Sequence, residues 1–193
     1  MKPLFHWLLA ATLFLLLPLA TGCDSEEPEG EGPGEEELIT RVLLTLTRTD
    51  GPVGTATAEA SSPSGIGGGT GLTVGTLRLV AGATYSGTVQ LFNGTEAVTA
   101  EVEDEADEHQ FFYTASGALA GKVTFTPTDR DSNNFPVGLA FTVAVAGDAL
   151  GTGTVHIQLG HYDEQRKDGT TVSSETDLDF EMPLEVVAIT PLP

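Results

Sequence analysis

From residue 38 onward, apolar and polar side chains alternate with a period of two. In Tyr85-Ser86-Gly87-Thr88-Val89-Gln90-Leu91-Phe92, the residues Tyr85, Val89 and Leu91 share one face. Val155-His156-Ile157-Gln158-Leu159 alternates more cleanly. In residues 177–182, Leu178, Phe180 and Met182 face one way, and Asp177, Asp179 and Glu181 face the other. Leu38-Ile39-Thr40-Arg41-Val42-Leu43-Leu44-Thr45-Leu46-Thr47 is rich in apolar and β-branched residues. Runs of this length and period, bounded by Gly, Asn, Asp and Ser, predict half-buried strands. Asp50-Gly51, Asn93-Gly94 and Asp168-Gly169 each separate two such runs, and these dipeptides tolerate the positive φ of a type I′ hairpin turn. Eight or nine short strands result, which predicts an all-β fold, a single antiparallel β-sandwich of immunoglobulin or fibronectin III type. Leu79-Val80-Ala81-Gly82-Ala83-Thr84-Tyr85 supports it, because it resembles the corner in such domains where a Tyr hydroxyl bonds back to the preceding turn. Only 95–109 departs from the pattern, reading as a strand with an acidic loop or as a short helix.

The first 37 residues follow other rules. Lys2, an apolar run over 4–19, and small residues before Cys23 form an export leader. The order of these parts resembles the bacterial lipobox, in which cleavage exposes a cysteine whose sulfur carries diacylglycerol. The run is shorter than the roughly 20 residues a spanning helix needs, and His6 interrupts its start. The expectation is a leader over 1–22, lipidation at Cys23, and a membrane partner reached through that anchor. Cys23 is the one cysteine in the chain, so lipidation removes thiol chemistry altogether. Residues 24–37 are mostly Glu, Asp, Gly and Pro and cannot offset the entropy of ordering, which predicts an acidic, disordered tether over 23–37. The remaining 38–193 has the length of one domain.

Charge narrows the partners. With 28 acidic and 8 basic residues the formal net charge is −20, which repels phosphate backbones and argues against nucleic acid. Enzyme signatures are missing: there is no Gly-x-Ser-x-Gly elbow, and the glycine cluster 65–71 lacks the Lys-Ser/Thr of a phosphate loop, so it reads as a flexible loop. Two stretches carry candidate chemistry. Glu108 and His109 end an acidic run, and a mixed imidazole and carboxylate site for zinc or another divalent ion is sensible there; the alternative is a His opening an aromatic strand while the acids face water. Asp129, Asp131 and Asn133 place oxygens at alternate positions, as calcium loops do. Asn134 and Ala140 stand where an EF-hand needs glycine and glutamate, leaving a partial calcium loop or a plain Asp/Asn turn. His156 and His161 project to opposite faces of their strand, so that strand alone cannot bring them to one metal.

From Glu108-His109-Gln110-Phe111-Phe112-Tyr113 onward, the chain resembles a group of small lipoproteins from Bacteroidota and related bacteria. Thr84-Tyr85-Ser86-Gly87-Thr88, the Asp129-Arg130-Asp131-Ser132-Asn133 loop and His161 at a strand end also carry the resemblance. It implies that the acidic segment after Cys23 directs export to the outer face of the outer membrane. Such proteins are sometimes labelled as a type 1 periplasmic binding fold, but that fold is α/β, two-lobed and about twice this length. The functional expectation is a non-enzymatic envelope lipoprotein, an accessory to metal or nutrient uptake beside an outer-membrane receptor, with His109, His161, Glu108, Asp129, Asp131 and Asn133 as candidate ligands. The alternative is a structural or adhesive surface domain without a small ligand.

Overall fold

The computed structural model describes residues 38–67, 70–163 and 165–188. The leader, the lipidation site at Cys23 and the acidic tether lie outside the described residues.

Eleven strands are described: β1 (Arg41–Arg48), β2 (Thr55–Ser61), β3 (Thr73–Val74), β4 (Leu77–Val80), β5 (Thr84–Asn93), β6 (Glu96–Ala97), β7 (His109–Ala115), β8 (Val123–Pro127), β9 (Ala140–Val145), β10 (Gly151–His161) and β11 (Glu175–Val187). A short helix α1 (Thr99–Asp104) follows β6. One sheet runs β3-β2-β1-β5-β9-β8, with β6 paired to the far end of β5. The other runs β4-β11-β10-β7. The fold is all-β and sandwich-like, as the alternation predicts. Every pairing is antiparallel except that of β4 with β11.

One contiguous apolar core draws on both sheets. Val42, Leu44 and Leu46 of β1, Tyr85, Val89 and Leu91 of β5, and Phe141, Val143 and Val145 of β9 enter it from the first. Val155, Ile157 and Leu159 of β10 and Leu178, Phe180, Met182 and Leu184 of β11 enter it from the second. An aromatic ladder crosses between them: the Phe111 and Tyr113 rings of β7 stack, and Tyr113 packs on Phe125 of β8 and Phe141 of β9. Gly87 makes room for it, since a Cβ there would stand 2.3 Å from Phe141 Cε2. The predicted corner is present: Val80 N–H donates to the Tyr85 hydroxyl at 3.0 Å.

The three turns differ in detail from the I′ expectation. Asn93 pairs with Glu96, so the two corner residues are Gly94 and Thr95. Of these only Gly94 has positive φ, +59°, which is the II′ pattern. Asp50-Gly51 lies in a longer connection between β1 and β2, and Asp168-Gly169 lies within the excursion 162–174 between β10 and β11. The glycine-rich segment is anchored: Ile66 is buried in the core, and its N–H donates to Ile39 O at 2.8 Å. Residues 95–109 resolve into β6, α1 and a turn. Among the described residues no helix is long and apolar enough to cross a membrane.

Candidate metal centre at the bulged end of the second sheet

β7, β10 and β11 are adjacent in the second sheet, and their ends meet where β7 begins and β10 finishes. His109, the first residue of β7, pairs in register with His161, the last of β10. Their rings stack with centroids 4.6 Å apart and 23° between planes. The third member comes from a register shift. Leu159 pairs with Leu178 but Gly160 pairs with Thr176, so Asp177 is an extra residue on β11. A bulge of this kind re-aims a side chain. Asp177 and Leu178 are both buried in consequence, whereas strict alternation put Asp177 on the solvent face with Asp179 and Glu181. That expectation is corrected, and the bulge is the physical reason.

The three side chains converge. Asp177 Oδ2 is 3.2 Å from His109 Nε2, and Asp177 Oδ1 is 3.3 Å from His161 Nδ1. One candidate ligand atom from each residue lies within 4.8 Å of the others. Relative exposure is 0% for His109, 1% for His161 and 7% for Asp177. Close approach has not produced aligned hydrogen bonds: among the described residues, neither carboxylate oxygen of Asp177 and neither ring nitrogen of His161 has a hydrogen-bond partner. Burying a carboxylate without an aligned hydrogen bond is costly, and among the described residues the two imidazoles at 3.2 and 3.3 Å are the groups placed to offset it. His109 Nδ1 lies 3.1 Å from Glu105 O. A carbonyl only accepts, so Nδ1 carries the proton and Nε2 is turned towards Asp177. Metal-ligating histidines are oriented by this kind of outer contact.

A buried ammonium braces the site from outside. Lys167, in the β10–β11 excursion, is 4% exposed. Its Nζ donates to Ala106 O and His109 O, each at 2.7 Å, and lies 2.9 Å from Asp131 Oδ2. Burial pushes the Lys167 pKa down, with Asp131 pulling the other way. Burial alone would push the Asp131 carboxyl up, but Lys167 and the N–H groups of Phe135 and Asn133 hold it below its ordinary value. Two further contacts tie the excursion to the start of β7: Tyr162 N–H donates to Glu108 O at 2.8 Å, and Gln110 Nε2 donates to Gly169 O at 3.1 Å. Burial, then the Asp168 charge, pushes the Tyr162 hydroxyl up to about 12.

The candidate ligands read from the sequence therefore divide. His109 and His161 come together. Glu108 is half-buried and contributes its backbone carbonyl to Tyr162, and it is not one of the converging three. Asp129 accepts from Gly138 N and Ala140 N at 2.7 and 3.0 Å. Asp131 Oδ1 accepts from Asn133 N and Phe135 N at 2.9 and 2.8 Å. Asn133 is exposed, and Asn134 takes positive φ, +66°, in the glycine position of a calcium loop. These carboxylates serve the loop's own backbone, and the cation beside Asp131 is the Lys167 ammonium. His156 is half-exposed on the opposite face and meets Asp179 Oδ1 at 2.6 Å.

Asp177 and Lys167 were missed by sequence reasoning. For Asp177 a signal existed: Gly160 interrupts β10 opposite the bulge, and an isolated glycine in a strand pattern marks such irregularities. For Lys167 there was none, since a Lys among charged residues in a turn reads as solvated.

Fold and site together define a class: an all-β domain with a buried His-His-Asp cluster at one sheet end. Comparison with protein-family models, with curated proteins and with solved structures finds no match to this chain.

Proposed function

We propose that the chain is a lipid-anchored, non-enzymatic binding module of the cell envelope, held by Cys23 and carrying a divalent cation between His109, His161 and Asp177. In this reading it serves as an accessory to metal or nutrient uptake beside an outer-membrane receptor, on the outer-membrane surface. One observation carries the metal part. A buried carboxylate with no hydrogen-bond partner lies 3.2 and 3.3 Å from one nitrogen of each of two stacked imidazoles, an arrangement that a bound cation resolves and an apolar core does not. Burial of all three groups also supports a non-enzymatic role, because a substrate needs access to whatever acts on it. The envelope part rests on the order of charge, apolar run, small residues and Cys23, and on the acidic segment after it.

Two measurements test it. Calorimetry with zinc and with calcium on the detergent-solubilised protein, stripped of metal by a chelator beforehand, is expected to show one site for a divalent ion, lost in His109→Ala and in His161→Ala. No heat with any divalent ion would remove the metal reading. Cys23→Ser is expected to move the protein from the membrane to the soluble fraction, and unchanged fractionation would remove the anchor.

A further inference from the structure

Resting on that reading of the site, we infer that the ion is a borderline d-block ion of zinc's kind, and that it is retained as a staple across the bulged sheet end and not passed on as cargo. The donor set is the first reason. Two imidazole nitrogens and one carboxylate suit zinc and its neighbours, whereas calcium takes six to eight oxygens. Spacing is the second. Ligands about 2.0–2.1 Å from a tetrahedral zinc stand about 3.3 Å from each other; Asp177 Oδ2 lies 3.2 Å from His109 Nε2, its Oδ1 lies 3.3 Å from His161 Nδ1, and one atom from each residue lies within 4.8 Å of the others. Bringing one atom from each residue onto a single ion takes a closing of the three side chains by up to about 1.5 Å from that 4.8 Å span.

Retention follows from where the ligands sit. They come from three neighbouring strands, β7, β10 and β11, and none is exposed beyond 7%. His161 and Asp177 bracket the excursion 162–174, which is fastened back over the start of β7 by Lys167, Tyr162 and Gln110. An ion held there cross-links segments far apart in sequence and can leave only if strand ends part. The bulge has a cost, since it breaks the ladder for one residue, and its visible product is an inward carboxylate without a hydrogen-bond partner. Stapling the sheet end gives that carboxylate its use.

The test is made on the full-length protein in detergent, with zinc, cobalt and calcium as probes. Metal analysis after dialysis is expected to give one zinc per chain, not displaced by a thousandfold excess of calcium. Cobalt substitution is expected to give the intense visible bands of a low-coordinate site with nitrogen ligands. Removing zinc with a chelator should take hours at room temperature and lower the Tm by roughly 5–10 °C, as expected for loss of a ligand once present at a hundredfold excess over its dissociation constant. Asp177→Asn and His161→Gln should lose the metal, and His156→Gln, on the opposite face, should keep it. If zinc binds but calcium competes equally, or if zinc exchanges within seconds and its removal leaves the Tm unchanged, the staple fails while the binding module stands. If no divalent ion binds, both fail together. The cobalt spectrum and the exchange rate are read on the wild-type chain, so they decide the matter even where a variant misfolds.

Discussion

Lys167→Met is the most informative single change outside the cluster of His109, His161 and Asp177. Methionine keeps the length and apolar stem of lysine but removes the ammonium. Ala106 O and His109 O lose a donor at 2.7 Å, and Asp131 Oδ2 loses a cation at 2.9 Å. The side chains of this pair are 3% and 1% exposed, so water does not substitute. Removing one partner of a buried pair strands the other charge and costs about 3–5 kcal/mol. Asp131 keeps its two backbone donors on Oδ1, which places the expected loss near 3 kcal/mol, at the lower end of that range. For a domain of this size that lowers the Tm by roughly 10 °C. Urea unfolding of wild type, Lys167→Met, Asp131→Asn and the double variant completes a thermodynamic cycle. The double variant no longer buries a lone charge, so it should be more stable than the sum of the single losses by about 1–3 kcal/mol. A single-variant loss under about 1 kcal/mol, or strict additivity, would refute the bracing role.

Tyr85→Phe leaves the Val80 N–H without its acceptor and should cost about 1–2 kcal/mol in denaturant unfolding; an unchanged midpoint would mean the corner bond contributes nothing. Gly87→Ala places a Cβ where the Phe141 ring stands and should cost about 1–3 kcal/mol, a loss that Phe141→Leu in the same chain should partly relieve. The Asp168 carboxyl accepts from the N–H and hydroxyl groups of Thr170 and Thr171. The Thr170 and Thr171 backbone N–H groups, then the Thr171 hydroxyl, hold its pKa down at about 2, against an ordinary value of 3.8. A depressed carboxylate contributes stability above the unfolded value, so this contribution is present above about pH 4 and lost as pH falls through about 2. Asp168→Asn should flatten that part of the acid-unfolding curve, and an NMR titration midpoint near 3.8 would count against the turn.

The longer strands were legible because each buries one face against a common core. Val155, Ile157 and Leu159, or Leu178, Phe180 and Met182, report their orientation through simple alternation. Tyr85 was legible too, because its corner is local in sequence. What alternation could not carry was any residue whose environment is set by other segments. Asp177 points inward because β10 and β11 slip by one residue beside Gly160, and Lys167 is buried because its excursion folds onto the turn before His109. The roles of the Asp129 and Asp131 carboxylates were hidden for a related reason. Alternate oxygens fit a cation loop and a backbone-capping turn equally well, and only the positions of Gly138, Ala140, Phe135 and Lys167 decide between them. Of the three converging side chains, the two histidines were visible as candidates, and their meeting across β7 and β10 was not.

The position of β11 has a consequence for how the molecule comes into being. It is the last described strand in sequence, yet it lies inside its sheet, between β4 and β10. Until it emerges, β4 has no partner in that sheet, and β10 has only β7. Contacts between distant parts of a chain form slowly, because the intervening loop must close first. A polypeptide threaded amino end first through any narrow pore would therefore stay pliable until β11 had followed, and would lock only then.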